Sequence, residues 1–144
     1  MPTVRELMTT DVITIDVQAT VLEAAILMHK QDVGDLVVMD GVKAQGIVTE
    51  RDLVRRVMAQ KKSLDTKVCD IMSSPLITIE DDASLRKAAR KMVKYRIRRL
   101  PVTKENVLVG IVATSDFARH LSKKTFSELM AAAMSRYPMP EENL

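Results

Sequence analysis

The chain has 144 residues, 47% of them apolar, a net charge of +3 and one cysteine. That length suits a compact domain with a real core. No apolar run reaches the ~20 residues of a membrane span, MPTVREL lacks the apolar stretch of a signal peptide, and a lone Cys69 excludes an internal disulfide framework, so the cytoplasm is the expected compartment and no membrane contact is expected.

Tryptophan is absent, and with two Phe, two Tyr and ten Met the core should be aliphatic with Met filling gaps. "DVITI" at 11–15 reads as a short β-branched strand. Thr20 then stands where a helix N-cap belongs, and Val21, Ala24, Ala25 and Met28 follow at helical spacing. "DLVVMD" and "AQGIVT" predict two strands joined by a polar turn, and a second helix should begin near Glu50. The same order returns in "PLITI", Ser84, the stripe Leu85, Ala88, Ala89 and Met92, "RLPVT", "LVGIVA" and a helix from Thr114. Beyond Thr125, Phe126, Leu129, Met130 and Ala133 form an apolar helical stripe that Pro138 ends. That stripe would cover the chain's own core or pair with a second chain.

The two halves are one unit written twice. Gly46 and Gly110 lie 64 residues apart, and that offset also joins Val4 to Val68, Met8 to Met72, Thr14 to Thr78, Met28 to Met92 and Asp52 to Asp116 without a gap. Two copies are too few for a solenoid, so a pair packed about a pseudo-twofold axis is expected. The expected fold class is α/β (α+β): two β-α-β-β-α motifs over 1–66 and 67–121, then a C-terminal helix and tail over 122–144.

Thr49-Glu50-Arg51-Asp52 has the form of a capping box, with Asp52 where the helix dipole favours negative charge. A carboxylate at a strand-to-helix turn also suits the two hydroxyls of a ribose, because its oxygens accept both. Asp116 repeats Asp52, while Thr49 becomes Ala113. From Arg86 to Lys104 there are nine Lys or Arg and no acid. Arg86, Arg90 and Lys94 stack at i, i+4, where like charges repel. A solvated face is the plain explanation; steering of an anionic ligand or docking on nucleic acid are the functional ones. Tyr95 is the sole aromatic there, which argues against single-strand stacking. His29, His120 and Cys69 make no zinc spacing. No nucleophile has an assignable base and no Gly-rich phosphate loop occurs, so no catalytic activity is expected.

The repeated β-α-β-β-α unit, "ELMTTDVITI" and "DIMSSPLITI", "RRLPV" and the G-I-V-x-x-x-D endings resemble tandem CBS motifs, the pair called a Bateman module, over roughly positions 3–121. The resemblance implies a regulatory module, not an enzyme, that takes AMP, ADP, ATP or S-adenosylmethionine as ligand and requires no cofactor. It further implies a homodimer and a regulated protein partner. Carried onto this sequence, it implies one site from Thr49 and Asp52 with Pro75, Leu76 and Ile77, where Arg98, Arg99 and the Pro101 segment reach phosphate. It implies a second from Ser115 and Asp116 with Asp11, Val12 and Ile13. Binding of nucleic acid by the basic face, or a ligand-free dimerisation scaffold, are the alternatives.

Overall fold

A computed structural model describes residues 2–120, 122–124 and 127. The expected C-terminal helix, with Phe126, Leu129, Met130 and Ala133, lies outside the described residues. In chain order the elements are α1 (Val4–Leu7), β1 (Thr14–Asp16), α2 (Val21–Gln31), β2 (Asp35–Asp40), β3 (Lys43–Thr49) and α3 (Glu50–Asp52). A π-helical segment, Leu53–Met58, and a 3-10 turn, Val68–Asp70, follow. The second copy supplies β4 (Ile79–Glu80), α4 (Leu85–Tyr95), β5 (Arg99–Lys104), β6 (Val107–Ala113) and α5 (Thr114–His120). The α/β repeat expected from the 64-residue offset is therefore present, with two three-stranded sheets.

The chain packs as two compact units, Val12–Ile77 and the remainder, in which residues up to Asp11 join those from Thr78 onward. In the first unit β1 runs parallel to β2, and β2 antiparallel to β3. Thr20 caps α2 by accepting the Glu23 N–H at 3.1 Å, a bond whose loss costs ~1 kcal/mol. Val21, Ala24 and Met28 face a core of Ile15, Leu36, Val38, Val48, Val57, Val68 and Ile71. Ala25, placed by spacing on the same stripe, is exposed. The second unit repeats the sheet with β4, β5 and β6. Ser84 accepts the Lys87 N–H at 3.1 Å, and Leu85, Ala88, Ala89 and Met92 are all buried.

The first strands are shorter and later than "DVITI" and "PLITI" predict. In the parallel register Thr14 pairs with Val37, the third residue of β2 (Asp35–Asp40), so the ladder begins two residues inside β2 and leaves Val12 and Ile13 outside the strand. Ile13 keeps one contact, its carbonyl accepting the Val37 N–H at 3.3 Å. In the second copy the Thr78 carbonyl accepts from Lys91 Nζ instead of joining the sheet.

The packing units also depart from the repeat bounds of 1–66 and 67–121, because the lead-in segment before each first strand packs on the other copy's sheet. Ser73 exchanges two backbone hydrogen bonds with Ile47 on β3, at 2.9 and 3.1 Å, and Val68 N–H donates to Ala19 O at 2.8 Å. Likewise Thr9 exchanges two with Ile111 on β6, both 2.9 Å, and Val4 N–H donates to Ala83 O at 2.9 Å. This close approach explains the duplicated glycine. A Cβ on Gly46 would sit 2.5 Å from Ser73 O and 2.8 Å from Met72 Sδ. One on Gly110 would sit 2.6 Å from Met8 Sδ and 2.9 Å from Thr9 O. All four distances are shorter than real Cβ contacts, so only glycine lets the segment lie along the strand.

Candidate ligand-binding turns

Each unit ends its sheet in a strand-to-helix turn that buries an aspartate. In the first, β3 delivers Thr49, half-buried, to the start of α3. Thr49 Oγ1 accepts the Asp52 N–H at 3.1 Å, and Asp52 Oδ2 accepts the Thr49 N–H at 3.0 Å. The capping box expected from T-E-R-D is therefore formed, and Asp52 is 8% exposed. Glu50 N–H donates to Gly34 O at 3.0 Å, tying the turn to the start of β2.

Sequence reasoning passed over Arg56. Its Nε lies 3.6 Å from Asp52 Oδ1, and its Nη1 donates to Ile71 O at 3.1 Å. One guanidinium thus holds the Asp52 carboxylate and the lead-in segment together. The available signal was the i, i+4 spacing from Asp52 to Arg56.

In the second unit Asp116, 5% exposed, accepts the Ala113 N–H on Oδ2 at 2.7 Å. The carboxylate keeps its place although Ala113 has no hydroxyl, because the bond it makes is to backbone. Thr114 N–H donates to Arg98 O at 3.0 Å, and Arg99 pairs with Ala113 in the sheet. Arg98 and Arg99, both exposed, therefore flank the Asp116 turn. The resemblance grouped them with Thr49 and Asp52, which belong to the other unit. At the matching places beside the Asp52 turn stand Gly34 and Asp35. Arg96, in a left-handed conformation (φ 57°) at the end of α4, adds another cation, with Nη2 buried and unbonded.

The remaining sequence candidates divide between the units. Pro75, Leu76 and Ile77 fall in the unit of Thr49 and Asp52, continuing from Ser73 on the β3 edge. Pro75 is exposed, and Leu76 and Ile77 are half-buried. Asp11, exposed, falls in the unit of Ser115 and Asp116, whereas Val12 and Ile13 do not. Ser115 is exposed at the start of α5, and Pro101 is buried within β5 opposite Ile111. Among the described residues no group of His, Cys, Asp or Glu is placed to hold a metal ion. No helix among them is long and apolar enough to cross a membrane.

Two copies of a β-α-β-β-α motif, each closing on a helix with a buried aspartate in its first turn, define a tandem-repeat α/β protein. The chain belongs to the CBS domain family, whose model matches residues 4–59 and 68–123. It is 39% identical over 118 residues to the CBS domain-containing protein YhcV of Bacillus subtilis, covering 82% of this chain and 84% of that one. Among solved structures it resembles Hypoxic Response Protein I, crystallised with two coordinated zinc ions, with a TM-score of 0.77 and 30% identity over 84% of this chain and all of that one. It also resembles the CBS domain pair of protein MJ0100, solved in complex with 5′-methylthioadenosine and S-adenosyl-L-methionine, with a TM-score of 0.74 and 30% identity over 82% of this chain and 98% of that one.

Proposed function

We propose that this protein is a regulatory sensor of an adenosine-containing ligand of the AMP, ADP or ATP class, acting as a homodimer on a protein partner and catalysing no reaction. The observation that carries the reading is the buried carboxylate repeated at the same turn of both units. Each accepts the backbone N–H three residues earlier, from Thr49 or Ala113, and a carboxylate with its several acceptor sites can share itself between that bond and a ribose diol. The adenosine compounds bound by MJ0100 support the same ligand class. Arg98 and Arg99 beside the Asp116 turn supply the charge that a phosphate would meet, and this favours nucleotides over uncharged adenosine compounds.

A calorimetric titration series with AMP, ADP, ATP, adenosine and S-adenosylmethionine tests the reading. Saturable binding of a nucleotide with weak dependence on salt is the expected result. No heat with any of the five would overturn it. Binding to duplex DNA that falls with a log–log salt slope of ~−0.9 per phosphate contact would instead mark the basic face of α4 as the functional surface.

A further inference from the structure

The turn after β3 is tied to the lead-in that follows it by one side chain. Arg56 Nη1 donates to Ile71 O at 3.1 Å and lies 3.5 Å from Met72 O, while its Nε stands 3.6 Å from Asp52 Oδ1. The next residue, Ser73, exchanges two backbone hydrogen bonds with Ile47 on β3, and Ile47 stands two residues before Thr49. The Thr49 N–H returns to Asp52 Oδ2 at 3.0 Å. These contacts close a ring from Asp52 through Arg56, Ile71, Ser73, Ile47 and Thr49, all inside one packing unit.

Two features set this arginine apart from a solvated one. Its side chain is 51% exposed yet bonded at both ends, so it is not needed to fill the core. It also sits on the π-helical segment Leu53–Met58, where the Ala59 N–H donates to Val54 O at 2.8 Å and the Lys62 N–H to Val57 O at 2.9 Å, each five residues back. Such widened turns are rare and recur at functional sites. At the matching place in the second copy stands His120, on the regular helix α5.

The two oxygens of Asp52 are unequal. Oδ2 accepts the Thr49 N–H, whereas among the described residues Oδ1 has only the Arg56 ion pair, too long at 3.6 Å for a hydrogen bond. Oδ1 is therefore oriented by charge without being hydrogen-bonded. A guanidinium can face the carboxylate through Nε and the Ile71 carbonyl through Nη1 at once, because its donors are fixed in one plane; an ammonium offers a single nitrogen.

We propose that Arg56 is a positioning residue that orients the Asp52 carboxylate for a ribose diol and couples it to the lead-in at Ile71–Ser73, so that a ligand on the Asp52 turn tightens the pairing of Ser73 with Ile47. The ligand half rests on the sensor reading above; the link itself does not. Such coupling is reciprocal: the factor by which the closed lead-in raises ligand affinity is the factor by which ligand favours closure.

Amide hydrogen exchange followed by NMR tests this, with folding checked by circular dichroism and the amides of α2 as reference. Without ligand, Arg56→Gln should speed exchange at Ser73 and Ile47 roughly tenfold, the scale of one hydrogen bond to a charged group, and leave α2 unchanged. Asp52→Asn should speed it less, since the Ile71 bond remains, and should add nothing in the Arg56→Gln background. Arg56→Lys, which keeps the charge but not the fork, should behave like Arg56→Gln. Arg55→Gln, which removes the same charge from a neighbouring exposed side chain, should change nothing. Adenosine, which carries the diol without phosphate, should slow exchange at Ser73 and Ile47 in wild type but not in Arg56→Gln, and AMP should do the same. Affinity for both, read by calorimetry, should fall roughly tenfold in Arg56→Gln.

Unchanged exchange at Ser73 and Ile47 in Arg56→Gln, an Asp52→Asn effect that persists in that background, or rescue by Arg56→Lys would each overturn the link. Ligand binding that Arg56→Gln does not weaken, or that leaves Ser73 and Ile47 unprotected in wild type, overturns the positioning role. A wild type that binds neither adenosine nor AMP sinks the sensor reading and the ligand half together, while the ligand-free variants still decide whether Arg56 joins Asp52 to the lead-in.

Discussion

Arg5 donates through Nε to Asp81 Oδ2 at 2.8 Å, joining residues at the two ends of a lead-in contact that Val4 and Arg5 also make through backbone. The hydrogen bond from Arg5, with its positive charge, holds the Asp81 carboxyl below its ordinary value despite burial. At the equivalent places in the other unit stand Cys69 and Val17, so this ion pair has no counterpart there, and that lead-in is held instead by Arg56 through the Ile71 carbonyl.

The pair makes stability depend on pH in a defined direction. A carboxyl with a lowered folded pKa stabilises above its unfolded value, about pH 4, and loses that contribution as pH falls through the folded value. Asp81→Asn should therefore melt below wild type near neutral pH, and the gap should close as pH is lowered toward about 2. Thermal melts across that range check this. A gap of constant size would show that the charge contributes nothing.

Asp52→Asn should weaken adenosine-ligand binding by ~1.5–3 kcal/mol, the range for hydrogen bonds to a charged group. Folding should suffer less, because the Asn oxygen can still accept the Thr49 N–H. Calorimetry together with a urea melt separates the two effects. Full affinity in the folded variant would remove Asp52 from the site.

Replacing Arg98 and Arg99 by alanine should erase any preference for phosphorylated adenosine while leaving adenosine affinity nearly unchanged. Because Arg98 meets the Asp116 turn through the Thr114 N–H, the loss should be coupled to Asp116→Asn more strongly than to Asp52→Asn. A double-mutant cycle measures that coupling. Equal coupling to both aspartates would refute the assignment.

Gly46→Ala and Gly110→Ala should each destabilise by about 1–3 kcal/mol, the cost of forcing extra volume into a packed site. The new methyl would collide with backbone at Ser73 or Thr9, which cannot swing aside as a side chain can. Denaturant titration checks this. Gly41→Ala, with nothing within 4 Å of its Cβ, is the control for backbone strain alone, since its φ is +62°.

The repeat, the helix caps and the buried aspartates were legible because each rests on local chemistry: Thr20 and Ser84 on side-chain capping, Asp52 and Asp116 on a turn. The extent of β1 and β4 was not, because "DVITI" carries strand propensity along its whole length, whereas only Thr14–Asp16 enters the ladder. Nor did spacing tell on which sheet Thr9 or Ser73 would lie, since the offset that matches the copies is silent about which copy a lead-in joins. Ala25 and Ala89 share a repeat position, yet only Ala89 is buried. Arg56 was not legible because its second partner, the Ile71 carbonyl, reaches it only through the tertiary placement of the lead-in.

The crossing of the lead-ins means that the stretch of chain that repeats is not the stretch that packs. A fragment cut at residue 66, following the repeat, would lose Ser73 from the flank of β3 and leave that edge strand with open backbone groups, a template for unwanted pairing. A fragment spanning 12–77 would carry its own edge cover. For anyone dividing this molecule into halves, or grafting one half onto another protein, the seam that keeps a sheet sealed lies a dozen residues away from the seam the sequence advertises.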